Sequence, residues 1–252
     1  MTKIALITGA TSGIGEACAE LFAKEHYNLV LTGRRLDRLE KSAKELNAKY
    51  NVEVAVSSFD VRNREEVLRN LDGLPEKWKK VDVLINNAGL SQGLDPIQNG
   101  SLDDWDTMID TNIKGLLYVS KVVSNWMINN KSGHIINIGS IAGKEVYQNG
   151  NVYCATKHAV DALNKAMRID LLPHGIKVTA VHPGAVETEF SEVRFKGDKE
   201  RAKKVYEGFE PLVADDIAQT IWFAVSRPAH VNINELIVMP TAQASASTIF
   251  RK

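Results

Sequence analysis

The stretch Thr8-Gly9-Ala10-Thr11-Ser12-Gly13-Ile14-Gly15 decides the fold, because it joins a short apolar run to a helical pattern. Glycine at such a corner permits a tight turn and lets the backbone approach a pyrophosphate, whose charge is favoured at a helix N-terminus. A tight corner also needs glycine for structural reasons alone. Because this one directly follows the first strand, we interpret it as a dinucleotide site made by Gly9, Thr11, Ser12, Gly13, Ile14 and Gly15.

Apolar runs typical of strands alternate with helical patterns along the rest of the chain. The strand patterns fall at residues 4–8, 29–32, 52–57, 81–86, 134–138, 178–182 and 236–239. The helical patterns fall at 14–25, 36–48, 64–71, 104–129, 153–172 and 215–226. This alternation predicts a single α/β domain over residues 1–252, a doubly wound parallel sheet in three αβα layers. The pattern at 104–129 is long, so we expect it to pack along the sheet and at a subunit interface.

Composition excludes several classes of protein. The 252 residues are 44% hydrophobic and 25% charged, which suits a globular domain with a core and excludes a disordered chain. Lys and Arg total 31, as do Asp and Glu, so the chain has no net positive charge that would attract nucleic acid. Two cysteines make no disulfide framework, and no segment has the length of a membrane span. We expect a cytoplasmic protein without a membrane or nucleic-acid partner.

The end of the second strand pattern indicates which dinucleotide is bound. An acidic residue there binds the ribose hydroxyls of NAD, whereas this chain has Arg34 and Arg35 after Gly33. Guanidinium donors match phosphate oxygens, so the pair predicts NADP. The alternative, two arginines placed for solubility at a helix start, is disfavoured by the helix dipole.

Two later strand ends add residues to the predicted crevice. The third strand pattern is followed by Asp60 and Val61, and the fourth ends in Asn86-Asn87-Ala88-Gly89. Strand ends of this kind meet at the ligand crevice of a doubly wound sheet. Asn and Gly also form turns for purely structural reasons, so the second segment alone would not identify a site.

A candidate catalytic pair lies at the start of a later helical pattern. Tyr153 and Lys157 are four residues apart, so their side chains share one helix face. An ammonium about 4 Å from a phenol contributes roughly 4 kcal/mol at an effective dielectric of 20, on the order of three pKa units. Such a tyrosine could exchange a proton with a carbonyl or hydroxyl during hydride transfer. The spacing is common by chance, but Ser140, thirteen residues upstream, could hold the substrate oxygen beside it.

With these motifs in order, the chain resembles the short-chain dehydrogenase/reductase family over essentially its whole length. The motifs are residues 8–15, 86–89, Asn112, Ser140, Tyr153 with Lys157, and Pro183-Gly184. The resemblance implies a Rossmann-type fold, bound NADP or NADPH, no metal and a homotetramer. It also implies that Tyr153 is the acid/base, that Ser140 orients the reacting oxygen, and that Lys157 lowers the tyrosine pKa and binds the nicotinamide ribose.

Further roles follow from the same resemblance. Asn112 would hold a water in a proton relay to Lys157, the alternative being a polar residue on a solvated helix face. The segment Pro183-Gly184-Ala185-Val186-Glu187-Thr188 would lie beside the nicotinamide, with Val186 and Thr188 bonding its carboxamide. One departure is Val238-Met239-Pro240, where many relatives have a glycine pair, and it reshapes the pocket rim or a subunit contact.

The substrate is indicated by residues 189–198 and 228–234, which look like those of NADP-dependent 3-hydroxy acid dehydrogenases. This resemblance implies a short hydroxy acid of the serine, allo-threonine or 3-hydroxyisobutyrate type, or its semialdehyde or keto form. Arg194 is the candidate for the carboxylate, because guanidinium binds it through two hydrogen bonds, although an arginine there could equally face solvent. Ser140 would orient the substrate, and Gln148 could add a hydrogen bond.

The segment 186–208 is charged and lacks a strand pattern, so we expect a mobile lid, with a solvated charged helix as the alternative. Two other functions stay open. The chain could be a ketoreductase of the same family that acts on acyl thioesters or other carbonyls. It could also be a non-catalytic NADP sensor, which would not need Asn112, Ser140, Tyr153 and Lys157 together.

Overall fold

Seven parallel strands form the centre of the computed structural model, which describes residues 2–252. They are β1 (Ile4–Thr8), β2 (Asn28–Gly33), β3 (Val54–Ser58), β4 (Val83–Asn86), β5 (His134–Ile138), β6 (Lys177–Pro183) and β7 (Glu235–Val238). Their order in the sheet is β3-β2-β1-β4-β5-β6-β7. The winding direction reverses between β1 and β4, and a crevice opens at such a reversal, beyond the carboxyl ends of the strands.

Helices cover both faces of the sheet. They are α1 (Gly13–Lys24), α2 (Leu36–Tyr50), α3 (Arg64–Asp72), α4 (Leu102–Ile109), α5 (Leu116–Asn130), α6 (Asn151–Leu171), α7 (Phe190–Arg194), α8 (Lys199–Lys204) and α9 (Ala214–Val225). Alternate residues of β1 enter opposite cores: Ala5 and Ile7 pack with α1 and α9, and Ile4 and Leu6 pack with α3 and α5. The strand is apolar throughout because both of its faces are buried.

The predicted fold is confirmed, and the long helical pattern shows the main difference. Residues 104–129 do not form one α-helix, because a π-helical segment, Asp110–Gly115, separates α4 from α5. There Gly115 lies so close to Val61 that a Cβ would come within 2.8 Å of Val61 Cγ2. The same segment directs the Asn112 side chain into the interior. An apolar period predicts the helix axis and does not indicate the wider turn within it.

The bounds of the other predicted elements agree with the structure to within two residues, and the last third of the chain shows a further difference. Residues 186–208 contain two short helices, α7 and α8, so the charged helix expected as the alternative is present within the segment expected to be a lid.

Within residues 2–252, no helix combines the length and apolarity needed to cross a bilayer.

A buried histidine in the sheet makes stability depend on pH. The Thr179 hydroxyl donates to the Ile233 carbonyl (2.6 Å), so His134 Nε2, 2.7 Å from the same hydroxyl oxygen, acts as the donor to it. Burial and the nearby Lys177 lower the pKa of His134 to about 3. Between the ordinary His pKa of about 6.5 and this value, the unfolded chain binds a proton that the folded chain does not. Stability is therefore lost as the pH falls through this window.

We expect acidification from about pH 7 to about pH 5 to cost wild type about 2 kcal/mol more than His134→Gln. The amide of Gln can still donate to Thr179 but does not titrate. Urea unfolding of both proteins at the two pH values measures the difference. Equal losses would show that His134 does not titrate as its burial requires.

Candidate active site

The crevice at the carboxyl ends of the strands has a volume of about 470 Å³. Most of the residues predicted from sequence line it, although they come from loops far apart in the chain. Those in its wall are Gly9, Thr11, Ser12, Gly13, Ile14, Arg34, Arg35, Asp60, Val61, Asn87, Ala88, Gly89, Ser140, Tyr153, Lys157, Pro183, Gly184, Val186, Thr188 and Arg194. Four predicted residues lie outside that wall: Gly15, Asn86, Asn112 and Gln148.

The glycine turn has the geometry of a phosphate cradle. Gly9 and Gly13 have φ angles of 65° and 55°, which other residues rarely adopt. A Cβ at Gly15 would collide with the carbonyl oxygen of Gly9, so this glycine shapes the turn from behind the crevice wall. The helix α1 starts at the turn, and the N–H groups of its first turn can bind an anion there. The turn therefore fits a pyrophosphate.

The fourth strand end supports this turn. Asn87 Nδ2 donates to the carbonyl oxygens of Thr8 and Gly9, at 2.9 and 3.1 Å, and fixes the loop after β4 against the glycine turn. Asn86 instead points into the interior, where its side chain donates to Ser120 and Asn137. Asn86 thus joins β4 to β5 and α5, and its contribution to a cofactor site is indirect.

The two arginines after β2 differ in their contacts. Arg35 donates to Thr11 Oγ1 from Nε (3.0 Å) and Nη2 (2.7 Å), and to Ser12 Oγ from Nη2 (2.8 Å). Its Nη1 donates to Glu189 Oε2 at 2.9 Å. Within residues 2–252 the side chain of Arg34 has no such partner, and it lies exposed at the crevice edge. Arg34 is therefore the guanidinium whose donors are open to a phosphate.

Ser140 and Tyr153 are neighbours at the other end of the crevice. Ser140 follows β5, and its Oγ accepts a hydrogen bond from the Ala142 N–H at 3.1 Å, so its own proton is available to a ligand or to Tyr153. Tyr153 lies in the first turn of α6 and is buried. This pair is the arrangement expected for a serine that orients a substrate oxygen beside a proton donor.

The pKa of Tyr153 is governed mainly by burial. Burial raises the pKa of the phenol above its ordinary value, Tyr147 adds to this, and Arg194 and the Ser140 hydroxyl oppose it. The Lys157 Nζ donates to the Ile138 carbonyl at 2.9 Å and is itself buried, which lowers the lysine pKa to about 8. The expectation based on charge alone omitted the desolvation of both groups, and the lowering of the tyrosine pKa by Lys157 stays a prediction.

Asn112 occupies the expected position but uses its side chain differently. Its Nδ2 donates to the Leu90 carbonyl (2.8 Å) and to Thr156 Oγ1 (3.0 Å), and its Oδ1 accepts from the Leu90 N–H (2.8 Å). The alternative of a solvated helix face is wrong, because the residue is buried. These bonds fix the loop after β4 against α6, close to Lys157.

Arg194 lies at the Tyr153 end of the crevice. Its guanidinium carbon lies 5.2 Å from the ring centre of Tyr153 and 5.6 Å from that of Phe190. Nε donates to Ser91 Oγ (3.0 Å) and Nη2 to the Tyr147 hydroxyl (2.5 Å), whereas Nη1 has no hydrogen-bond acceptor in the described part of the chain, residues 2–252. The arginine therefore faces the crevice, and the alternative of a solvent-facing side chain is wrong. Gln148, by contrast, is exposed, and the geometry gives no support to a substrate contact.

Several residues of the crevice wall were not predicted from the sequence. Tyr147 and Phe190 contribute aromatic rings, and Gln243, Ala246 and Ile249 of the tail reach back over the crevice. Gln243 Oε1 accepts from the Ala185 N–H (2.8 Å), which anchors the tail after β6. The tail has no periodic pattern, so no signal in the sequence predicts this placement.

A polar cluster lies behind Ser140. Asp161, His182 and Glu235 bring potential metal ligands within 4.8 Å of one another. Lys144 Nζ already lies 2.9 Å from Asp161 Oδ1 and 2.6 Å from Glu235 Oε2, so an ammonium balances the carboxylates. His182 Nδ1 lies 3.2 Å from the Ser140 carbonyl and donates to it. The cluster therefore supports the backbone of Ser140.

Comparison with known proteins agrees with this geometry. The sequence model described as short chain dehydrogenase matches residues 3–199, and the chain belongs to this family. It is 46% identical over 244 residues to the NADP-dependent 3-hydroxy acid dehydrogenase YdfG of Salmonella typhi, covering 96% of this chain and 97% of that one. It is also 46% identical over 245 residues to sulfoacetaldehyde reductase 2 of Chromohalobacter salexigens, covering 97% and 96%. The closed form of serine dehydrogenase complexed with NADP⁺ is a structural neighbour with a TM-score of 0.91 and 42% identity, covering 99% of each chain.

Proposed function

We propose that this protein is an NADP-dependent oxidoreductase that interconverts short 3-hydroxy acids with their semialdehyde or keto forms. The observation that carries the proposal is the position of Arg194, whose guanidinium carbon lies 5.2 Å from the ring centre of Tyr153. A cation at this distance from the proton donor selects substrates with an anionic group close to the reacting carbon. The relatives named for 3-hydroxy acids and serine support the same substrate class.

The cofactor residues fit NADP. The glycine turn accepts the pyrophosphate, Arg34 at the crevice edge offers donors to a 2′-phosphate, and Lys157 lies at the opposite end beside Tyr153. Bound NADP(H) supplies or accepts the hydride. Asp60 and Val61, with Asn87, Ala88 and Gly89, line the part of the crevice between these ends.

The chain's own residues handle the proton and the orientation. The Ser140 hydroxyl donates to the substrate oxygen and orients it toward Tyr153. With a raised pKa, the Tyr153 phenol holds its proton at neutral pH and gives it to the carbonyl oxygen during reduction. Lys157, with a pKa near 8, is still mostly protonated at neutral pH and offers donors to the ribose and to Ile138. Pro183, Gly184, Val186 and Thr188 bound the nicotinamide side of the crevice.

The experiment that tests the substrate class is Arg194→Ala. We expect its kcat/KM to fall by about a hundredfold for serine or 3-hydroxyisobutyrate, because a charge-assisted carboxylate contact contributes about 1.5–3 kcal/mol. A neutral secondary alcohol should lose much less. Steady-state oxidation with NADP measures both.

The control is Arg201→Ala, which removes an arginine of α8 that packs on Phe195 outside the crevice. It should leave both substrates unaffected. An equal loss for acids and neutral alcohols in Arg194→Ala would contradict the carboxylate role.

A short aldehyde that carries a sulfonate is a second candidate substrate. Guanidinium binds a sulfonate with the same donors as a carboxylate, and the relative named sulfoacetaldehyde reductase 2 is 46% identical. Reduction of sulfoacetaldehyde and of a malonic semialdehyde with NADPH, run in parallel with a 3-oxoacyl thioester, separates these substrates. Faster turnover of the thioester would favour the ketoreductase function over both.

Assembly, location and lid movement complete the proposal. A homotetramer built through α5 and α6 would cover their exposed apolar side chains, including Leu117 and Ile169. A cytoplasmic location suits the two cysteines, Cys18 and Cys154, which are both free thiols. Residues 186–208 would move as a lid over the crevice.

A further inference from the structure

A cluster of ion pairs joins residues 186–208, the expected lid, to the start of α2. The roles proposed for the catalytic residues do not account for this cluster. Glu189, directly before α7, accepts from Arg35 Nη1 through Oε2 (2.9 Å) and from Arg38 Nη1 through Oε1 (2.8 Å). Each carboxylate oxygen thus has its own arginine. The hydrogen bonds from Arg38 and Arg35 lower the pKa of Glu189 to about 2, so the carboxylate stays charged at any working pH.

One side of this cluster is fixed to the rigid part of the fold. Arg35 is tied to the glycine turn by its bonds to Thr11 and Ser12. The residue before Glu189 also contacts that turn, since a Cβ at Gly13 would lie 3.2 Å from Thr188 Cβ. Residues 188–189 are therefore held against the turn by packing and by charge.

The other side of the cluster leads to the substrate arginine. Glu189 directly precedes α7 (Phe190–Arg194) and Arg194 is its last residue, so only one short helix separates the two, and fixing its first end restricts the position of the other. Arg194 enters the crevice between Tyr153 and Phe190, where a displacement of about 1 Å is enough to impair catalysis strongly.

We propose that Glu189, held by Arg35 and Arg38, is a positioning residue that sets Arg194 in front of Tyr153. We refer to Glu189, Arg35 and Arg38 as the latch. The inference rests on the proposed function, and it assigns different roles to the two arginines after β2. Arg34 is left to bind the 2′-phosphate, and Arg35 uses most of its donors on the glycine turn and the latch.

The test compares Glu189→Gln and Arg38→Gln with Glu192→Gln, which removes a charge from the same helix outside the latch. The first readout is trypsin cleavage of the cofactor-free protein, since the segment offers Arg194, Lys196, Lys199, Arg201, Lys203 and Lys204. We expect cleavage there to be about tenfold faster in Glu189→Gln, a few-fold faster in Arg38→Gln, where Arg35 still holds Glu189, and unchanged in Glu192→Gln.

The second readout is the KM for serine or 3-hydroxyisobutyrate. It should rise about tenfold in Glu189→Gln, with kcat and the NADPH dissociation constant within about twofold of wild type. Faster cleavage without a change in KM would overturn the positioning role. Tighter NADPH binding with unchanged cleavage would overturn the latch and make Glu189 a competitor of the phosphate.

The latch and the proposed function fail in different ways. A wild type that turns over no 3-hydroxy acid refutes the proposed function, while cleavage and NADPH binding still decide whether Glu189 holds the segment. A wild type that turns over these acids, with Glu189→Gln indistinguishable from Glu192→Gln in every readout, refutes the latch alone.

Discussion

Replacing Tyr153 by Phe should lower kcat by about a thousandfold while NADPH still binds. The reason is that the phenol, which is in hydrogen-bond contact with the Ser140 hydroxyl, acts as the general acid, and loss of a general acid typically costs about 10²–10⁴ in rate. Phe fills the same buried volume, so the fold should not suffer. Reduction of a semialdehyde measures the rate, and quenching of intrinsic fluorescence measures NADPH binding.

The matched control is Tyr118→Phe. Tyr118 is half-buried on α5, and its hydroxyl makes no hydrogen bond to another part of residues 2–252, so removing it should leave the rate unchanged. A Tyr153→Phe variant that binds NADPH and keeps wild-type activity would refute the proton-transfer role.

Replacing Arg34 by Gln should weaken NADPH by about 10–100-fold and leave NADH nearly unaffected. A charge-assisted phosphate contact contributes about 1.5–3 kcal/mol, and only NADPH carries the 2′-phosphate. In the double variant Arg34→Ala/Arg35→Ala, which also lacks the Arg34 guanidinium, the KM for NADPH should likewise rise far more than that for NADH. Titration of each cofactor against each variant measures the preference.

Arg64→Gln serves as the control, because Arg64 is an exposed arginine at the start of α3 outside the crevice wall. It removes the same charge and should not change the ratio of NADPH to NADH affinity. If Arg34→Gln weakens the binding of NADPH and NADH equally, the arginine stabilises the crevice in general and does not bind the 2′-phosphate.

Local patterns were enough to predict the sheet and, to within two residues, the ends of its strands. β1 and β5 were predicted with their observed bounds, because an apolar run between polar residues is a complete signal for a strand buried on both faces. The site residues that follow these strands were predicted for the same reason, since parallel strands bring their carboxyl ends to one edge.

The features missed depend on contacts between distant segments. Glu189 binds Arg35, which lies 154 positions away in the chain. In the sequence alone, neither residue can be told apart from a charged residue on a solvated surface. Lys157 donates to the backbone carbonyl of Ile138. A contact with a backbone carbonyl does not depend on residue type, so the sequence does not predict it. The raised pKa of Tyr153 depends on burial, and a helical spacing of four does not report burial.

The strand order also bears on how the chain is made. β4 pairs with β1, and each strand after β4 pairs with the one synthesised just before it, so β5, β6 and β7 extend the sheet in the order in which they leave the ribosome. Such sequential addition lets each strand find its neighbour while the rest of the chain is still absent, which limits exposure of unpaired edges. Tyr153 and Lys157 emerge after β5, and Arg194 after β6. Catalytic competence is therefore acquired late in synthesis, when the nucleotide half of the molecule has already had time to fold.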